Sequence, residues 1–400
     1  MKKLYLVGGA VRDILLGRTP HDYDFVAVGF SYEEMVSLYG EPVGEGFPVF
    51  IGEVPGYGRC EIAMARRERS TGNGYKDFVF EFGEDITLEE DLLRRDFTIN
   101  AMAMDVETGE IIDPYGGKED LSNKILRATN PKAFEEDPLR VLRLARFRAK
   151  LGFEIERNTF NLAKKMKPKL HYLTKERVWL EIEKALSTSY PHLFFITLKE
   201  LDVLDIIFPE LVPLIDMPQA YHKEDAFTHT MLALSLSVEY NLPIEYRFAV
   251  LVHDLGKGTT PEKILPHHYN HEKRGVEVIE RLAERLPIPK RFLKVGKFFT
   301  ENHLKLANIF RLRPSKIARL LVSIHKEHLD LRYIFTAVRC DLEGREGGKE
   351  FNIDVDLLER MQAEILKING KELTKKYGSS PKIGEILLQK RTEKIKEMIR

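Results

Sequence analysis

The hydrophobic pattern of this chain changes period once, and that change dictates the kind of fold it can reach. Up to about residue 115 the apolar residues fall in short β-type runs: Leu4–Val7, Phe25–Val28, Val49–Ile51, Glu61–Ala65, Phe78–Phe82 and Ala101–Asp105. One helical stretch, Tyr32–Leu38, and a glycine-rich turn lie among them. From about Pro138 the spacing becomes helical, through Pro138–Leu151, Arg157–Met166, Glu176–Leu186, Phe227–Tyr240, Tyr246–Asp254, Lys273–Leu286 and Phe351–Leu366. Strand signals nearly vanish there. The pattern predicts an α+β N-terminal region followed by an all-α remainder. With 400 residues the chain can build two or three separate cores. The composition shift near residue 135 and the Pro-containing stretch Pro209–Ala220 are the best boundaries, which suggests segments 1–135, 136–220, 221–330 and 331–400.

Charge decides less. Lys and Arg number 62, as do Asp and Glu, so the formal net charge is zero. If the partner is RNA, its basic residues must be gathered locally and offset by acidic patches elsewhere. Cys60 and Cys340 lie far apart with no metal-type spacing, as expected for reduced thiols. The start, Met1-Lys2-Lys3 and an apolar run, superficially resembles a leader, but Gly8-Gly9 interrupts it and Arg12-Asp13 closes it. No apolar run reaches the roughly 18 residues of a membrane span. A cytoplasmic protein is expected, as a monomer or a homodimer.

The first chemical constellation follows the first strand. Gly8-Gly9-Ala10-Val11-Arg12-Asp13 is succeeded nine residues later by Asp22-Tyr23-Asp24. Adjacent glycines let a main chain approach a phosphate, and Arg12 offers a bidentate contact to the same group. Asp22 and Asp24, two apart on an expected strand, would point to one face and suit Mg²⁺ ions that bridge a triphosphate. Neither a Gly-Gly turn nor an Asp-x-Asp is specific alone. Together, at this spacing after an N-terminal strand, they resemble the class II tRNA nucleotidyltransferase and bacterial poly(A) polymerase superfamily, a branch of the polymerase-β-like nucleotidyltransferases.

The resemblance continues in chain order. Arg94-Arg95-Asp96-Phe97-Thr98-Ile99-Asn100-Ala101 is similar to the RRDxTxNA motif of that superfamily, which implies a nucleotide contact for Arg95. Asp113-Pro114-Tyr115-Gly116-Gly117 resembles its DPxxG turn, and Glu136-Asp137-Pro138-Leu139-Arg140 its EDxxR element, continued by Arg143 and Arg146. Pro138 suits a first helical turn, with Asp137 at or near the N-cap. Residues 137, 140, 143 and 146 then form a slanting ridge. Asp137 can only accept hydrogen bonds and Arg140 can only donate them. Cytosine and adenine both present an exocyclic amine beside a ring-nitrogen acceptor. Guanine and uracil carry a keto oxygen there, and acceptor would face acceptor at a cost of about 1–3 kcal/mol per unmade bond. Arg143 and Arg146 are implied to hold ribose or triphosphate. Between these motifs, Glu61 to Asp91 includes Arg66-Arg67-Glu68-Arg69 and Ser70-Thr71-Gly72-Asn73-Gly74, where the superfamily has a mobile loop associated with the switch from C to A addition; its full length here implies a complete CCA-adding enzyme or an A-adding partner over a CC-only enzyme. Glu176-Arg177-Val178-Trp179 with Glu181 resembles a supporting neck-helix element.

A second constellation lies in the helical half. His253-Asp254 follows an apolar helix and precedes Leu255-Gly256-Lys257, with His229 upstream and His271, His303 and Asp341 downstream. That order resembles the HD superfamily. Imidazole and carboxylate ligands suit borderline transition metals, which activate water against phosphate esters. His267 and His268 are near misses for the position given to His271. The resemblance points to Ni²⁺, whereas ligand type alone admits Mn²⁺, Fe²⁺, Co²⁺ or Zn²⁺.

Over nearly its full length the chain thus resembles bacterial CCA-adding proteins that carry an HD domain. The implied layout is a nucleotidyltransferase head (1–135), a helical neck and RNA-binding body (136–220), an HD metallohydrolase (221–330) and a helical C-terminal region (331–400) that supplies Asp341. The implied activity is addition of C, C and A to tRNA from CTP and ATP with Mg²⁺, beside 2′,3′-cyclic phosphodiesterase, 2′-nucleotidase and phosphatase activities. A CC-adding or A-adding specialist shares these motifs. A poly(A) polymerase shares the head motifs, but the HD domain, zero net charge and lack of a long basic tail speak against it. Intact Asp22, Asp24 and Asp137 speak against a non-catalytic tRNA-binding module.

Overall fold

The computed structural model of the protein describes residues 2–43, 47–70, 78–220, 223–348, 350–370, 373–374 and 382–399. By main-chain proximity the chain divides into two units: Met1–Glu181 with Thr197–Ile207, and Ile182–Ile196 with Phe208–Arg400.

The first unit is built on strands β1 (Lys3–Val7), β2 (Asp24–Val28), β3 (Val49–Val54), β4 (Gly58–Met64), β5 (Arg66–Ser70), β6 (Phe78–Phe82), β7 (Ala103–Asp105), β8 (Ile111–Ile112), β9 (Ile125–Leu126) and β10 (Glu154–Ile155). Six of them form one sheet in the order β3-β4-β2-β1-β7-β8. β1 and β2 are antiparallel with Val7 opposite Asp24, whereas β2 and β4 run parallel with Asp24 opposite Glu61. Leu6, Val7, Phe25, Val26, Ile62 and Met64 are buried in this sheet. β5 and β6 pair as a separate ribbon. Residues 71–77 of the loop associated with the switch from C to A lie outside the described residues.

Helices α1 (Gly9–Leu15), α2 (Tyr32–Tyr39) and α3 (Leu88–Leu93) sit among the strands, followed by α4 (Gly117–Ser122), α5 (Pro131–Glu136), α6 (Leu139–Leu151), α7 (Arg157–Lys165), α8 (Lys175–Leu186), α9 (Pro191–Glu200) and α10 (Leu204–Ile207). Both α2 and α3 begin with capping boxes, Ser31 with Glu34 and Thr87 with Glu90, which satisfy end N–H groups that no helix can satisfy itself. Val141, Leu142, Leu144 and Ala145 of α6 are fully buried, and Arg143 and Arg146 lie on the other side of the helix.

The second unit contains α11 (Ala226–Glu239), α12 (Ile244–Val252), α13 (His271–Arg285), α14 (Lys290–Ala307), α15 (Pro314–Lys326), α16 (Leu331–Glu343), α17 (Val355–Lys367) and α18 (Ile383–Ile399). Phe248, Ala249, Val250, Leu251 and Val252 are all fully buried. A stretch apolar all round belongs in the middle of a core, and this end of α12 lies there, Ala249 and Val250 sharing a cluster with Phe299, Leu306, Ile317, Leu321, Phe335 and Val338. Cys60 and Cys340 are both buried and free. Among the described residues no helix is long and apolar enough to cross a membrane.

Three expectations need correction. β2 starts at Asp24, so Asp22 precedes the strand instead of lying on it. α12 stops at Val252, and the chain turns into a 3₁₀ segment, Leu255–Thr259, immediately after His253-Asp254. Residues 351–354 are irregular, and the helix that follows starts at Val355.

Two candidate active sites

In the first unit, Gly8 leaves β1 with φ 68°, a conformation that costs an L side chain but not glycine. A Cβ there would also stand 2.9 Å from the Arg95 guanidinium. Glycine therefore serves both the turn and the close approach of Arg95. Asp24 lies across the strand pair from Val7. Surrounding protein raises the Asp24 carboxyl above its ordinary value, Arg95 opposes that shift and Asp22 adds to it. Asp22 and Asp24 are both open to solvent.

Arg95 does not stand alone. Buried Asp91 accepts from Arg95 at 3.1 Å and from Arg94 at 2.9 Å, and also takes the Arg66 N–H at 3.3 Å. Asp96 binds Arg143 through Nε and Nη2 at 2.8 and 2.5 Å, the Asn100 amide at 3.0 Å and the Phe97 N–H at 2.9 Å. Burial works against an ionised Asp96, but Arg143 and Asn100 overcome it and bring the carboxyl down to about 2. Arg140 donates to the Arg94 and Arg95 carbonyls, at 2.6 and 3.4 Å. Asp137 accepts the Leu139 N–H at 3.0 Å and faces Arg177 at 3.6 Å. Pro138, not Asp137, is the N-cap of α6, yet the Asp137 carboxylate still caps it.

These groups surround one cleft of about 320 Å³, lined by Arg94, Arg95, Asp96, Asn100, Asp137, Leu139, Arg140, Arg143 and Arg177. The expected ridge thus divides. Asp137, Arg140 and Arg143 face the cleft, while Arg146 is absent from its lining and donates to buried Glu181 at 2.5 Å. Arg12 departs from expectation as well. It is 2% exposed, donates to Asn100 Oδ1 at 2.6 Å and Asp13 at 2.9 Å, and lies 5.5 Å from the Phe147 ring centroid. Its donors are turned into the protein. Sequence reasoning missed Arg94 and Arg177 as lining groups, Asp91 as the anchor of Arg94 and Arg95, and Asp96 as the anchor of Arg143. The neck-helix motif carried a signal for Arg177 and Glu181 that was read only as support.

In the second unit, four helices and one turn deliver six side chains to one buried point. α11 carries His229, the turn after α12 carries His253-Asp254, α13 begins with His271, α14 carries His303 and α16 carries Asp341. All six are buried. The imidazoles are oriented alike: Nδ1 of His229, His253, His271 and His303 lies 2.8, 2.7, 2.8 and 2.9 Å from the carbonyls of Gly344, Val250, His268 and Thr300. A carbonyl only accepts, so each Nδ1 carries a proton and each ring turns its Nε2 inward. The Nε2 atoms of His271 and His303 then face each other at 3.2 Å. His229 Nε2 is 3.1 Å from Asp341 and 3.6 Å from Asp254, and His253 Nε2 is 3.2 Å from Asp254.

Imidazole nitrogens and carboxylate oxygens converging on one buried point could hold a cation among them. His253 Nε2 and Asp254 Oδ1 are buried without a hydrogen-bond partner, as ligand atoms would be. Against its burial, the two carboxylates push His253 up to about 10, while burial takes His303 down to about 3. His229, His253 and Asp254 form one potential ligand group, and Asp254, His271 and His303 another. Asp254 is common to both, so it can serve one ion or bridge two. Neutral imidazoles with carboxylates fit a divalent transition metal. The Asp22 and Asp24 oxygens, open to water, fit the hard and hydrated Mg²⁺ instead.

The turn that holds His253-Asp254 docks on α13 main chain to main chain. A Cβ on Gly256 would fall 1.9 Å from the His271 carbonyl oxygen and 2.5 Å from the Gly275 nitrogen. Lys257 completes the turn, with Nζ 2.6 Å from both Asp254 and Gln219. A cleft of about 330 Å³ opens beside the cluster, with His271 and Lys257 in its wall.

Comparison with known proteins agrees with both halves. Residues 4–127 match the Poly A polymerase head domain, 152–215 the probable RNA and SrmB-binding site of polymerase A, and 226–331 the HD domain. The chain is therefore a nucleotidyltransferase head joined to a helical region with an HD domain. The Multifunctional CCA protein of Acinetobacter baumannii (strain SDF) is 41% identical over 406 residues, covering 99% of this chain and 97% of that one. That of Haemophilus influenzae (strain PittGG) is 44% identical over 361 residues, 86% of each. The chain belongs to the multifunctional CCA protein family. The solved Thermotoga maritima CCA-adding enzyme complexed with tRNA shares the fold, with a TM-score of 0.58 at 23% identity over 100% of this chain and 91% of that one.

Proposed function

We propose that the first unit adds C, C and A to the tRNA 3′ end from CTP and ATP without a nucleic-acid template. The observation that supports it is Asp137 and Arg140 at one cleft, an acceptor and a donor each fixed by main-chain bonds. A pair held in place cannot swivel to suit a keto oxygen. Asp22 and Asp24 would hold Mg²⁺, which when bound neutralises triphosphate charge and activates the attacking 3′-hydroxyl. Arg95, beside Asp24, binds the triphosphate where Gly8 leaves room. Arg143, held by Asp96, contacts the sugar. Arg12 is a positioning residue that ties the Gly8-Gly9 turn to Asn100, and Arg146 ties α6 to α8 through Glu181. The head extends to residue 135 and the neck and body to 220.

The test supplies tRNAs ending before CCA, after C and after CC with each nucleotide singly. Asp137→Ala and Arg140→Ala should each relax discrimination against UTP and GTP by roughly 5- to 150-fold, the worth of one unmade bond. An equal fall for all four nucleotides would assign the pair to folding instead. Incorporation of only C, or only A, by the parent protein would make it a specialist.

The second unit, from residue 221 with Asp341 as a ligand from the C-terminal region, is proposed as a phosphohydrolase for 2′,3′-cyclic phosphates, 2′-nucleotides and phosphate monoesters. His229, His253, Asp254, His271, His303 and Asp341 would hold a divalent transition metal, Ni²⁺ among the candidates, which when bound supplies Lewis acidity for attack of water on phosphorus. Lys257 places a fixed positive charge on the same cleft.

A further inference from the structure

The cleft beside the histidine cluster has a second wall whose purpose the metal ligands do not explain. Tyr269 and His267 line it together with His271, Lys257 and Leu304. Their rings are stacked, with centroids 5.6 Å apart and planes at 18°. Tyr269 is 64% exposed and His267 is exposed too. A large aromatic ring left in water contributes little to folding. A mobile loop tip would make its exposure trivial, but this loop is tied down on several sides.

His268, between the two in sequence, donates from Nε2 to the Pro218 carbonyl at 2.9 Å and accepts at Nδ1 from Thr260 at 2.8 Å. Arg274 reaches back from α13 to Thr259 at 2.8 Å, Thr260 at 2.9 Å and the Tyr269 carbonyl at 2.5 Å. Every one of these bonds fixes main chain or a neighbouring side chain, and none occupies the Tyr269 ring. Two residues further on, His271 starts α13 and delivers its Nε2 to the cluster. The same short segment therefore carries a preset flat aromatic face and a candidate metal ligand.

We propose that Tyr269, backed by His267, is a platform on which the HD site stacks the nucleobase of its substrate, so that this site acts preferentially on nucleoside 2′,3′-cyclic phosphates and 2′-phosphates over base-free phosphate esters. The inference rests on the phosphohydrolase reading of the second unit. Stacking tolerates every base because each has a π-face, and its worth on truncation corresponds to about 5- to 150-fold in affinity. Selection is thus for the presence of a base, not for its identity. Lys257 and the cluster member His271 line the same cleft as Tyr269, so a nucleotide in it has a cation for its phosphate as well as a ring for its base.

The experiment compares adenosine 2′,3′-cyclic phosphate with a base-free ribose 2,3-cyclic phosphate glycoside, using the full chain with added transition metal. Tyr269→Ala should raise KM for the nucleotide by about 5- to 150-fold and leave both its kcat and the base-free KM nearly unchanged. Tyr269→Phe, which keeps the ring, should restore the parent value. Calorimetric binding of guanosine 2′-monophosphate, a base the head is proposed to reject, should weaken by a similar factor in Tyr269→Ala. An unchanged ratio of the two KM values in Tyr269→Ala would overturn the platform while leaving the hydrolase reading intact. A parent protein that hydrolyses neither substrate would overturn both.

Discussion

Asp96 gives the sharpest quantitative test of how the head is held together. Its carboxylate is 7% exposed, binds the Arg143 guanidinium twice and takes the Asn100 amide and the Phe97 N–H. Its folded-state value of about 2 lies below the ordinary 3.8. That gap corresponds to roughly 2–3 kcal/mol of stability at neutral pH. For a carboxylate with a depressed folded value, the contribution is fully present above the unfolded value and is lost as pH falls through the folded one. It should be complete at pH 7, near half at pH 3 and almost gone at pH 2. Asp96→Asn keeps the shape and removes the charge. At pH 7 it should destabilise the first unit by about 2–3 kcal/mol, and more if Arg143 is left a half-buried unpaired charge. Trp179 is the only tryptophan of the chain, is 4% exposed and lies in the first unit, so its fluorescence in urea follows that unit. The difference in unfolding free energy between parent and variant should shrink by about half between pH 7 and pH 3. A difference that stays constant over that range, or is absent at pH 7, would refute the assignment of a stabilising ion pair to Asp96 and Arg143.

Asp22→Ala or Asp24→Ala should lower nucleotide addition by roughly 10³-fold, given several kcal/mol of charge stabilisation from a held cation, while hydrolysis by the second unit persists. Loss of both activities from a folded single variant would contradict two independent centres. Replacing His253 and Asp254 together by Ala should abolish cyclic phosphodiesterase activity and its response to added transition metal, with addition in Mg²⁺ retained. Full phosphodiesterase activity of the parent protein in chelator would refute the metal requirement.

What could be read from the sequence and what could not differ in physical kind. The six side chains of the HD cluster were legible because metal ligation accepts few residue types, and His253-Asp254 announces them. The anchoring roles of Asp91 and Asp96 were not, because a carboxylate that anchors a buried arginine is written with the same letter as one in water. Arg12 was read as a phosphate donor from its place after two glycines, but side-chain direction depends on Asn100, 88 residues away. The strand β5 was hidden because Arg66–Ser70 offers only polar side chains, and its partner β6 supplies the apolar pattern. α1 was read as a turn because glycine opens it, against helix propensity.

The back-to-back packing of Gly256 against the start of α13 and Gly275 has a consequence for the convergence of the HD cluster. No side chain stands between the turn that follows His253-Asp254 and the helix that begins with His271, so the spacing of the two segments is set main chain to main chain. A Cβ at Gly256 would fall 1.9 Å from the His271 carbonyl oxygen, and one at Gly275 would fall 2.6 Å from the Thr300 methyl. A side chain at either glycine would act as a wedge, prising His271 away from His253-Asp254 although neither glycine is a candidate ligand.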